Sequence, residues 1–345
     1  MKNIIIAGGG TFGHIRPALT LKNWLEKESY NVFYSCALRD KKFPFFNKEK
    51  NILPLDFVGL PRTKNIFRLM QFFYKLVLAM IKSLFYVIKL KPKIIIITGG
   101  FVSFPYLFWA KFFRKPYFIC EQNSIPGLVN RIFFKGAKKI FLSIPIKNRN
   151  IMNNLKNAII TGNPIELNIY TKKEASEALK IPYFENKKYV LVFGGSQGAK
   201  AINDVFIKNL DRLFSLEDYF FILVTGDDTD IDENNVKTFR FIENMGTAYS
   251  LSDFVVSRAG ASTVSELIYF KKPAILIPYP YATENHQFYN AEFAIENIPG
   301  FILLEKDTSF DRIVDYLGKL NNTEKILYSS LDTKNLIISE VNRWI

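Results

Sequence analysis

The sequence predicts an α/β protein of two doubly wound, Rossmann-like domains, with parallel sheets facing a central cleft. Three observations carry that expectation. Short apolar runs alternate with helical patterns along all 345 residues. The runs are apolar on both faces, as parallel strands covered by helices must be. One plan, strand then glycine turn then helix, occurs twice. It runs through Gly8-Gly9-Gly10-Thr11-Phe12-Gly13 and again through Gly194-Gly195-Ser196-Gln197-Gly198-Ala199. A chain of this length is comfortable as two hydrophobic cores.

In the first half the strands are IIIA (4–7), NVFYS (31–35), KIIIIT (93–98) and PYFIC (116–120). In the second they are YVLVF (189–193), FFILVT (220–225), FVVS (254–257) and PAILIP (273–278). Helical patterns such as 17–28 and 201–214 lie between them, which implies parallel, doubly wound sheets. The Gly and Pro of TGNP (161–164) end a strand and mark the link. The first domain is expected over 1–162 and the second over 163–327.

Charge divides the chain as sharply as pattern does. The net charge is +14, yet residues 1–150 hold 26 Lys+Arg against 6 Asp+Glu, and residues 151–345 hold 20 against 26. A basic half suits an anionic or phosphate-rich partner: lipid headgroups, a diphosphate or nucleic acid. Two cysteines, Cys36 and Cys120, with no CxxC pair, argue against a disulfide framework or a structural zinc site and fit a reducing compartment. The apolar run at the N-terminus is too short for a signal peptide and reads as a first strand.

Residues 67–90, FRLMQFFYKLVLAMIKSLFYVIKL, contain no acid, and Arg68, Lys75, Lys82 and Lys89 recur every seven residues. A membrane span needs about 20 consecutive apolar residues. Here only six separate successive charges, which excludes a span. A heptad of charges on a helix stays on one side. The segment is either a core helix with a solvated basic stripe or a helix partly exposed beside its cations, suited to an anionic membrane interface.

Gly8-x-Gly10-x-x-Gly13 matches a dinucleotide fingerprint, but Tyr34-Ser35-Cys36-Ala37 supplies no acid where a nicotinamide nucleotide needs one. That weakens a dehydrogenase or epimerase. The second glycine turn is the better phosphate cradle, with Ser196 adding a hydroxyl. Ser257 to Leu267 follows a strand with small residues that open a helix, whose N–H groups suit another anion. Glu266 is either a ribose ligand or an acid favoured by the helix dipole. His14, on a glycine turn, is a candidate general base beside the ordinary structural reading of a lone histidine. Asp228-Thr229-Asp230 sits in the acidic run 227–233, which reads as a solvated loop. No His, Cys and carboxylate cluster has metal-site spacing, so no cofactor and no obligatory metal is expected.

Taken together, seven ordered segments resemble the MurG family of glycosyltransferases. They are GGGTFGHIRPAL, TGGFVSFP (98–105), EQNSIPGLVNR (121–131), GGSQGAKAIN (194–203), FIENM (241–245), SRAGASTVSEL (257–267) and ENHQFYNA (284–291). The resemblance implies a GT-B fold with a C-terminal helix, about 328–345, crossing back to the first domain. It implies inverting, metal-independent transfer of N-acetylglucosamine from UDP-GlcNAc to the undecaprenyl-diphosphate-linked muramyl-pentapeptide, turning lipid I into lipid II for peptidoglycan. By motif match, Thr11, Phe12, Gly13, Asn123, Ser196, Ile242, Ala261, Ser262, Thr263, Val264, Ser265, Glu266 and Gln287 bind UDP-GlcNAc. Glu266 holds the ribose, backbone near Ile242 reads the uracil, and His14 is the base. The acceptor implies a peripheral enzyme on the cytoplasmic face of the bacterial inner membrane. Arg68, Lys75, Lys82 and Lys89 then form its membrane face.

Three positions depart from the family pattern. Phe12 stands where glycine is usual, Phe101 where tyrosine is common, and Glu166 where an arginine near the donor phosphate is frequent. Arg258 or Lys200 are the candidate replacements for that cation. Rival readings are a diacylglycerol glycosyltransferase of the same fold, a basic nucleic-acid-binding protein, and a nucleotide-sugar epimerase. The one-sided charge and the lack of a nucleic-acid motif speak against nucleic acid.

Overall fold

The computed structural model describes residues 2–43, 46–47, 49–57, 59, 61, 65–195, 198–321 and 332–345. The chain divides into two compact units, Met1–Ile165 with Leu331–Ile345, and Glu166–Ser330.

The first unit holds strands β1 (Asn3–Gly8), β2 (Asn31–Ala37), β3 (Ile52–Leu55), β4 (Ile94–Gly99), β5 (Tyr117–Glu121), β6 (Lys139–Leu142) and β7 (Ala158–Ile160). Its helices are α1 (Phe12–Lys27), α2 (Ile66–Leu90), α3 (Ser103–Phe112), α4 (Leu128–Phe133) and α5 (Arg149–Asn154). The sheet is parallel, in the order β3-β2-β1-β4-β5-β6-β7. Its central strands are apolar on both faces because each face has its own core. Ile4, Ile6, Ile94 and Ile96 pack with α1, and Ile5, Ala7, Ile95 and Ile97 pack toward α2, α3 and α4.

The second unit holds β8 (Lys188–Phe193), β9 (Tyr219–Val224), β10 (Asp232–Glu233), β11 (Val236–Phe239), β12 (Phe254–Ser257), β13 (Ala274–Leu276) and β14 (Gly300–Ile302). Its helices are α6 (Lys172–Leu179), α7 (Lys200–Ile207), α8 (Leu210–Phe214), α9 (Met245–Leu251), α10 (Ala261–Phe270), α11 (His286–Asn297) and α12 (Phe310–Leu320). The sheet order is β10-β11-β9-β8-β12-β13-β14. Every pairing is parallel except β10 with β11. The last helix, α13 (Thr333–Trp344), belongs to the first unit. It seats Ile337, Ile338 and Val341 in the core on the α1 side, and Glu340 pairs with Lys139 at 3.3 Å.

Four local differences from the sequence reading have physical causes. The helix expected from Pro17 starts five residues earlier, at Phe12, directly off the glycine turn, and carries Pro17 inside. The helix expected over 201–214 breaks in two. Asn209 leaves helical geometry, and its Nδ2 donates to the Val205 carbonyl at 2.8 Å. The end of the acidic run is not loop but β10, an antiparallel pair with β11 across the left-handed Asn234. On its exposed part, Asp228 pairs with Arg240.

The fourth concerns α2. Asn65 caps its first turn by accepting from the N–H groups of Phe67 and Arg68, and left-handed Lys91 followed by Pro92 ends it. Phe72, Ala79, Ser83 and Val87 face the core, where the Trp109 indole of α3 donates to the Met80 carbonyl and to Ser83 Oγ. The side opposite the core is not polar. Phe67, Met70, Phe73, Ile81, Phe85 and Ile88 are all more than half exposed. Arg68, Lys75, Lys82 and Lys89 run along the border between the buried and exposed stripes. The reading of a core helix with a merely solvated basic stripe is therefore replaced by a helix apolar on two sides. Each exposed Phe forgoes about 2 kcal/mol of burial, and apolar patches of this extent mark interaction surfaces. Phe108, Phe112 and Phe113 around α3, and Leu128 and Ile132 of α4, add further exposed apolar surface. Among the described residues, no helix is long and apolar enough to cross a membrane.

Candidate active site

In each sheet the strand order reverses beside the first strand, between β1 and β4 and between β8 and β12. Ligands of open α/β sheets bind at such switch points, beyond the carboxyl ends of the strands. The turns after β1, β4, β8 and β12, with their motif segments, sit there.

In the first unit, the turn after β1 meets the turns after β4 and β5. The first glycine turn is packed too tightly for any side chain. A Cβ on Gly9 would meet Asp40 and the Ala37 backbone, and a Cβ on Gly100 would lie 2.2 Å from the Gly9 carbonyl oxygen. Its amides are already engaged, because Gly9 N donates to Gly99 O at 3.2 Å and Gly10 N to buried Asp40 at 2.8 Å. The Gly9 and Gly10 amides are thus committed inside the protein. Thr11 is exposed, and Phe12, with Gly13 and His14 half-buried behind it, meets Phe43 edge to face.

His14 is held from three directions. Its carbonyl accepts from Thr98 Oγ1 at 2.9 Å, and its ring lies against Gly99, where a Cβ would approach the imidazole to 2.7 Å. Its Nδ1 faces Gln122 Oε1 at 3.0 Å. The neighbouring Glu121 is buried and organises the loop after β5. Its carboxylate accepts from Asn123 N (3.0 Å), Gly127 N (3.0 Å) and Asn130 Nδ2 (2.7 Å). That fixes Asn123. Cys120, just before it, is buried with its thiol raised well above the ordinary range, chiefly by desolvation and then by Glu121, so it is no nucleophile.

In the second unit, the glycine turn after β8 leads to Ala199. Gly194 has no room for a Cβ against Ala199, and Gly195 and Gly198 take positive φ. Ser196 lies outside the described residues. After β12, Gly260 caps α10, and the amides of Ala261, Ser262 and Thr263 form the first helical turn, where no intrahelical acceptor exists. Ser262 Oγ is buried without a hydrogen-bond partner. Ser265 Oγ donates back to the Ala261 carbonyl and Val264 is fully buried. Glu266 is buried and accepts from the Tyr249 hydroxyl of α9 at 2.8 Å. Ile242 is buried in the turn after β11.

Gln287 opens α11 and accepts from Tyr279 N at 3.0 Å, while Asn290, one turn on, donates to the Ala259 carbonyl at 3.2 Å and ties α11 to the turn before α10. Glu284 and Asn285 before α11 both take left-handed φ, a strain that persists where a site demands it. Glu166 is exposed at the start of the unit. Arg258 does not replace the expected cation. It is buried, bonded to the carbonyls of Ile277 and Pro278, and paired with Glu305. Lys200, exposed at the first position of α7, is the other candidate.

No group of His, Cys, Asp and Glu among the described residues has the arrangement of a metal site. Glu121 and Gln122 lie in the quoted segment 121–131 without a role read for either, and the sequence does not single out Tyr249. The contacts of Gln122 and Tyr249 are not local, since their partners lie 108 and 17 residues away.

Residues 4–142 match the glycosyltransferase family 28 N-terminal domain, and residues 189–339 match the family 28 C-terminal domain. Two curated relatives share the name UDP-N-acetylglucosamine--N-acetylmuramyl-(pentapeptide) pyrophosphoryl-undecaprenol N-acetylglucosamine transferase. The one from Caldicellulosiruptor saccharolyticus is 32% identical, over 95% of this chain and 91% of its own length. The one from Thermosipho africanus is 36% identical, over 94% and 93%. Among solved structures, Acinetobacter baumannii MurG superposes with a TM-score of 0.73 at 22% identity, covering 99% of this chain and all of that one. That structural likeness speaks to the fold.

Proposed function

Because this chain belongs to the MurG family of glycosyltransferases, we propose that it transfers N-acetylglucosamine from UDP-GlcNAc to the lipid-linked muramyl-pentapeptide, converting lipid I to lipid II in peptidoglycan synthesis. The observation that carries the reading is the match to curated transferases at 32–36% identity along nearly the whole of both chains. The described site supports it, with a held histidine at one switch point and an open helix N-terminus beside a buried carboxylate at the other. Through the cell wall, the activity serves cell shape and cell division.

In this reading His14 takes the proton of the acceptor hydroxyl as that oxygen attacks the anomeric carbon. The bond to the UDP oxygen breaks on the opposite face, so configuration inverts and UDP leaves with the bonding pair. Amides at the start of α10 and the Ser262 hydroxyl meet the charge that grows on the diphosphate. Glu266 takes the ribose, backbone near Ile242 takes the uracil, and Gln287, whose oxygen is engaged by Tyr279, offers its NH2 to the sugar. Thr11, Phe12, Gly13 and Asn123 complete the donor contacts from the first unit. Lys200 supplies the countercharge that Glu166 cannot. No metal is required.

The acceptor's lipid keeps the enzyme on an anionic membrane, peripherally, at the cytoplasmic face. The exposed apolar stripe of α2 supports this, because Arg68, Lys82 and Lys89 border it without a carboxylate partner among the described residues. Nucleic acid is not a partner in this reading.

The test is UDP release from UDP-GlcNAc in EDTA, with and without a lipid I analogue. Release only with the analogue is expected. Release with diacylglycerol instead, or loss of turnover in EDTA, would overturn the acceptor or the metal-free chemistry respectively.

A further inference from the structure

His14 and Gln122 sit on different elements, α1 and the turn after β5, yet their side chains meet at 3.0 Å. Gln122 is completely buried, and its Nε2 donates to the Cys120 carbonyl at 2.9 Å. A carbonyl oxygen only accepts, so the amide nitrogen must be the end that faces it. The end facing His14 is therefore Oε1, which also only accepts. The hydrogen between the two side chains must then belong to Nδ1. A neutral imidazole with its proton on Nδ1 has its lone pair on Nε2. Gly99 packs closely against the ring, where an added Cβ would come within 2.7 Å of the imidazole.

We propose that Gln122 is the positioning residue of the reaction: it fixes His14 as the Nδ1–H tautomer and leaves Nε2 as the basic atom for the acceptor hydroxyl. The inference rests on His14 being the base and names the device that makes it one. Gln122 touches no substrate. Its burial and its bond to the Cys120 carbonyl give it one orientation, and that orientation decides which nitrogen of His14 carries the proton. A hydrogen-bonded partner of this kind commonly sets tautomer and ring orientation.

The chain has two histidines, His14 and His286, so nitrogen NMR of the full protein labelled at histidine shows two imidazoles. His14→Gln identifies the His14 signals. The expected result is a protonated Nδ1 and a pyridine-like Nε2 on neutral His14. An Nε2–H tautomer, or a mixture, would overturn the proposal without any variant of Gln122.

Turnover gives the second readout. Gln122→Met keeps the volume and removes the acceptor. It should lower kcat about 10- to 100-fold, a part of the roughly 10²–10⁴ a positioned base supplies, with KM for UDP-GlcNAc within about twofold. Gln122→Glu restores an acceptor and should recover most of that loss. A Gln122→Met variant that folds, turns over normally and keeps the Nδ1–H signature would also overturn it. If His14→Gln itself retains turnover, the base assignment fails, and the tautomer result separates that failure from failure of the positioning role.

Discussion

The Tyr249 hydroxyl donates to Glu266 at 2.8 Å, joining α9 to α10 with both side chains buried. A buried carboxylate that accepts from a phenol has one oxygen oriented before any ligand arrives. The aromatic stack of Tyr249 on Phe270, centroids 5.1 Å apart, holds the phenol in place. Tyr249→Phe keeps that stack and removes only the hydroxyl. A hydrogen bond to a charged group contributes about 1.5–3 kcal/mol. Part of that should appear as lost donor affinity, with KM for UDP-GlcNAc rising about tenfold and kcat nearly unchanged. Calorimetric titration with UDP checks the affinity, and an unchanged dissociation constant would separate Tyr249 from ribose recognition.

Much of this arrangement was legible along the chain, and the reason is local. Strands such as β1 and β4 announce themselves because both faces are buried, and the glycine turns mark where each sheet hands over to a helix. The motif residues Thr11 to His14 and Ala261 to Glu266 fall beside those turns. What stayed hidden depends on packing between distant segments. The period of α2 places Arg68, Lys75, Lys82 and Lys89 together, but which stripe enters the core is decided by Trp109 reaching Met80 and Ser83. Arg258 reads as a free cation in sequence, and only the fold brings Glu305 to it.

In the proposed mechanism, with Arg258 paired to Glu305 and Glu166 acidic, the countercharge for the diphosphate falls to Lys200. Lys200→Gln should raise KM for UDP-GlcNAc about tenfold, which corresponds to about 1.4 kcal/mol. The effect should shrink at high salt, since an exposed lysine is screened. Donor saturation curves at two ionic strengths read both quantities. A Lys200→Gln enzyme with the parent's KM would leave the family's missing arginine unreplaced.

Burial raises the Cys36 thiol to about 12, with Asp40 adding to the effect. The unfolded thiol ionises near 9. Between those values the unfolded chain releases a proton that the folded chain keeps, so stability is intact below pH 9 and drains as pH rises toward 12. One pH unit above 9 the loss should be about 1.4 kcal/mol from this group. Urea unfolding at pH 8 and pH 10 measures it, and Cys36→Ala should show a smaller drop between the two. Equal drops in both proteins would assign the alkaline loss to other groups.

The α2 cations should not contribute equally to membrane binding. Lys75 pairs with Asp56 at 3.0 Å, whereas Arg68, Lys82 and Lys89 have no carboxylate partner among the described residues. Lys82 and Lys89 instead lie over the rings of Tyr86 and Phe85. A cation near an anionic lipid surface contributes about 1 kcal/mol. Replacing Arg68, Lys82 and Lys89 together by Gln should therefore weaken binding to anionic vesicles about 100-fold. Lys75→Gln should have the smallest single effect, because Asp56 already meets that charge. Replacing Phe73 and Phe85 by Ser should weaken binding while preserving its salt dependence, since the apolar and ionic parts act separately. Vesicle cosedimentation across a salt series reads all three variants. Equal binding to neutral and anionic vesicles would remove the electrostatic half of the membrane face, and full binding by the Phe73→Ser, Phe85→Ser protein would remove the apolar half.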